Sequence, residues 1–233
     1  MHQRELQKLL SLGVAAALSA VLAAPARAVT ITDPANDFIP TYTGVHAGDL
    51  DVLSASVFYD GTSFILDSIQ TGPVNSTASG FYVWGVDRGQ GTSRFGVISG
   101  TGTGGTYDAS AVLFDSVVVI RPLGISNVND LVGGTSAVLP AANVSVNGNE
   151  LIARVPISLL PSLGFTVGQY GFNLWPRDAS AVGNAQISDF APNNAVFRAT
   201  IPEPGSLALL ALAVVAGCST RGKRRTARAA AAA

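Results

Sequence analysis

Between residues 29 and 200 apolar and polar positions alternate in short runs punctuated by Gly, Asn and Asp. Leu53, Ala55, Val57 and Tyr59 recur at every second position, which places them on one face of a strand. The run meets Asp60-Gly61 and resumes with Phe64-Ile65-Leu66, a pattern that predicts a hairpin with a type I′ turn. The same pattern returns where Val144-Ser145-Val146 leads through Asn147-Gly148 into 151–155. Further strands are predicted at 81–86, 95–98, 111–120, 171–177 and 185–188, with one short helical turn at 157–160 between Pro156 and Pro161. Many short strands with turn signals and no long helical period predict an all-β module, an antiparallel β-sandwich of jelly-roll-like form. Two apolar runs of a different kind stand outside it, at 9–24 and 207–218.

Charge separates these three regions. The chain has 233 residues, 14 Lys+Arg and 15 Asp+Glu. Residues 1–28 hold three basic residues and one acid, and residues 201–233 hold five basic residues and one acid. Six basic and thirteen acidic residues remain in 29–200, a net charge of −7 with no Lys and no Cys. Such a module has no basic footprint for a nucleic acid. Without Cys it has no disulfide, so its stability rests on the core and on any bound ion. Its size suits one domain with one sizeable core.

Both ends read as targeting segments. Arg4 and Lys8 precede the first apolar run, and Pro25 with Ala26-Arg27-Ala28 closes it with a small-x-small cleavage site. This is the order of a secretory signal peptide over 1–28, with Val29 as the mature start. At the other end, Pro202-Glu203-Pro204 precedes an apolar stretch, 205–220, of 16 residues. As a helix this stretch would be ~24 Å long, a short transmembrane span. Arg221, Lys223, Arg224 and Arg225 follow and would hold that end on the cytoplasmic side. The two prolines around Glu203 keep the hinge extended above the membrane.

Pro-Glu-Pro, a short apolar helix and an Arg-rich tail, in that order over about 30 residues, resemble the PEP-CTERM sorting signal of exported bacterial proteins. The resemblance implies processing by a membrane-embedded, transpeptidase-like exosortase in bacteria that make extracellular polysaccharide. It also implies a transient anchor through the C-terminal helix, followed by release to the cell envelope, surface or matrix.

Catalytic chemistry is sparse in the central module. His46 is its one histidine, no G-x-S-x-G elbow occurs, and one His without Cys cannot fill a zinc site. Gly100-Thr101-Gly102-Thr103-Gly104-Gly105 matches G-x-G-x-x-G but runs on into β-branched residues, so it reads as an inter-strand loop. Asp33, Asp37, Asp49 and Asp51 form an oxygen-rich group near the start of the module. These residue types suit calcium, which takes 6–8 oxygen ligands, and they also make ordinary turns. In 172–177, alternation puts Phe172 and Leu174 on one face and Asn173, Trp175 and Arg177 on the other. Trp175 beside an amide and a guanidinium, and Trp84 in 81–88, are the candidate stacking platforms for a sugar; as core aromatics they would serve packing alone.

Asp33-Pro34…Asp37, the run from Asp51 to Tyr59 with its hairpin, the stretch Glu150 to Leu160 and the stretch Phe172 to Arg177 are similar to the β-sandwich of DOMON-like domains and family 9 carbohydrate-binding modules. Three roles stand open on these residues. The first is a non-enzymatic structural or adhesive protein associated with extracellular polysaccharide, and the second a carbohydrate-binding module. The third is a glycan-active enzyme, which needs a carboxylate pair in a module with a single Glu.

Overall fold

A computed structural model describes residues 29–100 and 104–201. The expected signal segment, the Pro-Glu-Pro hinge, the C-terminal helix and its basic tail lie outside the described residues. Within them the strands are β1 (Thr30–Thr32), β2 (Val52–Tyr59), β3 (Ser63–Gln70), β4 (Gly80–Asp87), β5 (Thr92–Ser93), β6 (Val97–Ser99), β7 (Thr106–Asp108) and β8 (Leu113–Phe114). They continue with β9 (Ser116–Ile120), β10 (Ser126–Asp130), β11 (Thr135–Leu139), β12 (Val144–Asn147), β13 (Glu150–Pro156), β14 (Gly171–Asp178) and β15 (Phe197–Arg198). One sheet runs β1-β2-β3-β13-β12 and the other β11-β10-β9-β4-β14-β15, with the small ribbons β5-β8 and β6-β7 beside them. Every ladder is antiparallel, and the fold is all-β and sandwich-like. Among the described residues no helix is long and apolar enough to cross a membrane.

The two large sheets share one core. Val57, Phe64, Leu66 and Val155 of the first meet Tyr82, Trp84, Phe172 and Leu174 of the second. The opposite face of the second sheet is also covered. Phe81, Val83, Val119 and Trp175 point outward from it and pack beneath the loop residues Ile39, Tyr42 and Phe190 and the ribbon residues Ile98 and Phe114. The alternation read for 172–177 therefore holds, and β4 and β14 are apolar on both faces because both are buried.

Both hairpins form, each with its turn one residue later than predicted. Asp60 pairs with Ser63 through an N–H to carbonyl bond of 3.1 Å, so the loop is Gly61-Thr62. Only Gly61 there has positive φ, 98°, the pattern of a type II′ turn. The second hairpin closes Asn147 on Glu150, with Gly148 at φ 61° in the same place. A bulge between Val52 and Ser54 changes the face read for Leu53. Val52 takes the core position in line with Ala55 and Val57, and Leu53 is half-buried outside the cluster.

Other expected strands are shorter or absent. The strand read over 111–120 breaks at Asp115, whose carboxylate turns to Arg88. Residues 183–186 form a 3-10 turn where the strand 185–188 was expected, and Ile187 makes only an isolated bridge to Arg177. Positive φ at Gly96 delays the strand read over 95–98 to Val97. The glycine-rich segment joins β6 to β7, where Gly100 N–H bonds the Gly105 carbonyl at 2.9 Å. Ile157–Leu159 is the 3-10 turn expected between the two prolines.

Arg88, fully buried at the end of β4, locks the second sheet to the segments around it. Its Nε donates to Asp115 Oδ1 at 2.6 Å and its Nη2 to Asp130 Oδ1 at 2.9 Å, while its backbone N–H donates to Asp115 Oδ2 at 2.8 Å. Removing one side of such a pair strands a buried charge. Asp115→Ala is expected to cost about 3–5 kcal/mol in urea denaturation, and the Arg88→Met/Asp115→Leu double variant to cost less than the sum of the single changes.

Candidate metal centre

The chain leaves β1 at Asp33-Pro34, where proline cannot donate to a ladder, and turns through Asn36 at φ 62°. Asn36 N–H donates to both carboxylate oxygens of Asp51, at 3.0 and 2.9 Å. This turn brings Asp33 and Asp37 together. Asp189 reaches them from the far end of the module, on the segment that returns across β14. That segment is held by reciprocal backbone bonds between Leu174 and Ala191, at 3.0 and 2.8 Å, and by the Ile39 N–H on the Ser188 carbonyl at 2.9 Å. Asp189 is fully buried and accepts Val52 N–H at 2.9 Å and Phe190 N–H at 2.7 Å. One carboxylate oxygen from each of Asp33, Asp37 and Asp189 lies within 4.8 Å of the others.

The electrostatics of this trio are unfavourable as they stand. Burial, followed by the charges of Asp37 and Asp51, pushes Asp33 up to about 7. Burial, followed by the charge of Asp33, pushes Asp189 up to about 8. Asp37 is raised too, mainly by burial, with Asn193 offsetting part of the effect. Asp33 Oδ2 and Asp37 Oδ1 are shut off from solvent and have no hydrogen-bond partner among the described residues. Among the other aspartates Asp67 also has an unpartnered buried oxygen and is raised by burial, whereas others are satisfied. Asp60 is held below its usual range, first by the Thr62 N–H, and Asp108 first by the Ser110 hydroxyl. What the trio lacks is positive charge.

A divalent cation would supply it. The donors are all carboxylate oxygens, the set preferred by calcium and magnesium over zinc or copper. Three oxygens this close to one another can reach a single ion, and calcium accepts such carboxylates with further oxygens completing its shell. Both Asp189 oxygens keep a lone pair beyond their backbone bonds, so the residue can hold an ion as well as the chain.

Of the four aspartates predicted as ligands, Asp33 and Asp37 are in the cluster and two act elsewhere. Asp51 folds the loop through Asn36. Asp49 accepts the Thr77 N–H at 2.7 Å and its hydroxyl at 2.8 Å, tying down the β3–β4 connection. Asp189 was not foreseen, because it is remote in sequence and sits where a strand end was read. His46 is stacked on Phe38, ring centroids 4.3 Å apart, with Tyr42 beyond at 5.7 Å.

The expected sugar platform gives way to packing. Trp84 and Trp175 are each 1% exposed and lie in separate clusters on opposite faces of the second sheet, so neither ring lies open at the surface. Asn173 is buried and donates to the Pro192 and Ala195 carbonyls at 2.6 and 2.8 Å, while Arg177 Nη2 donates to the Gly183 carbonyl at 2.8 Å. No family model and no curated protein matches the chain.

The raised carboxyl groups set a pH dependence. Their folded-state values lie above the ordinary 3.8, so the stability they contribute is lost in the metal-free protein as pH rises through about 7 and about 8. A cation replaces the protons. Calcium is therefore expected to raise the melting temperature by several degrees at pH ~8 and by little at pH ~5. Asp33→Asn should abolish the calcium effect while leaving the metal-free protein at least as stable at pH ~8, since it removes one of the mutually repelling charges. Differential scanning fluorimetry with calcium and with a chelator checks both outcomes.

Proposed function

We propose that this chain is an exported, non-enzymatic module of the cell envelope or surface, completed by a calcium ion and sorted by its C-terminal segment. The observation that carries the reading is the position of the carboxylate trio. Asp33 and Asp37 lie at the start of the module and Asp189 near its end, so an ion between them staples the two ends where a Cys-free module has no disulfide. Extracellular modules use calcium in this way, at the concentrations found outside cells. The same location follows from the signal-like 1–28 and the PEP-CTERM-like tail. A structural or adhesive role beside extracellular polysaccharide fits an acidic, sandwich-like module of this kind. In finer classification it is a jelly-roll-like sandwich of the DOMON-like type.

On this reading the signal segment is removed at Val29. The helix halts in the membrane with Arg221, Lys223, Arg224 and Arg225 inside, and an exosortase-type enzyme acts at the hinge Pro202-Glu203-Pro204. Glu203 carries the hinge's one charge and is the handle for a basic pocket. Mass spectrometry of the protein from a strain with the processing enzyme is expected to show a chain that starts at Val29 and lacks its tail. Glu203→Gln should leave the tailed precursor in the membrane. A mature wild-type chain ending at Ala233 would make the tail a plain anchor.

A further inference from the structure

The second sheet ends at β11, and this edge is unguarded. β11 pairs with β10 alone, over five residue pairs in unbroken register from Thr135 to Leu139. Every second residue of an edge strand turns its N–H and C=O away from the sheet, and on β11 none of these groups is bonded among the described residues. Thr135, Ser136 and Val138 are exposed, so no loop lies over them. Natural edges are blunted by brevity, charge, proline or a bulge. β11 has none of these devices: its residues are Thr, Ser, Ala, Val and Leu, and Pro140 falls just past its end.

The other three edges differ. β1 and β15 are three and two residues long, and Thr200, just beyond β15, exchanges backbone bonds with Val57 and Tyr59 at 2.8 and 2.9 Å. β12 is four residues long and has Glu150 opposite its last residue. Charge singles out β11 as well. Two copies of a module with net charge −7 approach most easily where neither presents an acid. The one acid opposite β11, Asp130, is already held by Arg88 and by the Val132 and Gly133 N–H groups. Exposed aliphatic side chains mark the whole length of this edge. Val138 stands in its middle at 65% exposure, Val132 in the loop at one end at 48%, and Ile125 beside the start of β10 at the other end at 73%.

We propose that β11 is a self-association edge, at which two copies of this chain pair β11 with β11 antiparallel about a two-fold axis at Ala137. The two outer sheets then run on as one. An axis normal to the sheet keeps Ala137 and Leu139, which share the core-facing side, on the same side in both copies. Val138 of one copy stands opposite Ser136 of the other. The end that carries Ile125 lies beside the end that carries Val132 in the second copy, so the exposed aliphatic residues of both ends are brought together. The backbone supplies the attraction, as in other cases of strand addition. The same patch is used by both copies, so the contact closes as a dimer.

The test uses the purified full-length chain in a mild detergent, with sedimentation velocity over a concentration series and amide hydrogen exchange as a second readout. A dimer is expected to form as concentration rises, and with it exchange should slow at alternate amides between Thr135 and Leu139. Val138→Lys and Val138→Asp should each raise the dimer dissociation constant about tenfold or more, because each sets like charges across the axis. An equimolar mixture of the two variants should recover most of the lost affinity, which damage to the fold would not allow. Ser145→Asp, on the edge strand β12, should leave association unchanged. A chain that stays monomeric into the millimolar range, a dimer indifferent to both Val138 variants, no recovery in the mixture, or an equal loss from Ser145→Asp would each overturn the proposal.

Discussion

The second sheet is apolar on both faces, so it must be covered twice, and only one cover is another sheet. The other is a set of loops with little regular structure, whose backbone groups must be satisfied locally. Aspartate side chains meet that demand. Asp51 holds Asn36, Asp49 holds Thr77, Asp87 holds Gly89 and Gly91, and Asp115 holds Arg88 and Gln90. Asp189 holds Val52 and Phe190 and so fastens the last long segment to the first large strand. This use of carboxylates explains how an acidic module with few cations tolerates its charge: the acceptors are spent on backbone N–H groups.

Against that background the trio of Asp33, Asp37 and Asp189 is exceptional. Two of its oxygens have no donor, and three carboxyl groups share one buried space. Such a cluster can be neutralised by protons or by a cation. On the proposed reading a calcium ion takes that place. The cost of holding the charges together is then offset by a link between two loops far apart in sequence. Neither loop has a disulfide, so the link would add to the hydrogen bonds and burial that already hold the Asp189 segment.

Much of the framework was legible in the sequence because its signals are local. Asp60-Gly61 and Asn147-Gly148 announce hairpins wherever they stand between alternating runs. The turn type was misread because the positive φ belongs to the glycine alone, which moves the loop on by one residue. The bulge at Leu53 left no mark, since Val52 and Leu53 are equally apolar. β10 and β11 were missed; Asn, Ser and Asp dominate β10, and β11 is a five-residue run with no turn pair to announce it. The faces of 172–177 were read correctly, but the burial of Trp175 was not, because the covering residues Phe95, Phe114 and Phe190 come from segments distant in sequence. The trio divided in the same way. Asp33 and Asp37 are neighbours in sequence and were found, whereas Asp189 joins them only through the tertiary path of the segment after β14.

The most direct test of the central claim is a crystal structure of the protein grown at pH ~8 with calcium, with anomalous scattering recorded to identify the ion. The account predicts one peak bonded to Asp33, Asp37 and Asp189 at roughly 2.3–2.6 Å, with further oxygens completing the shell. A map without that peak, in which the three carboxyl groups hydrogen-bond to one another through shared protons, would contradict it.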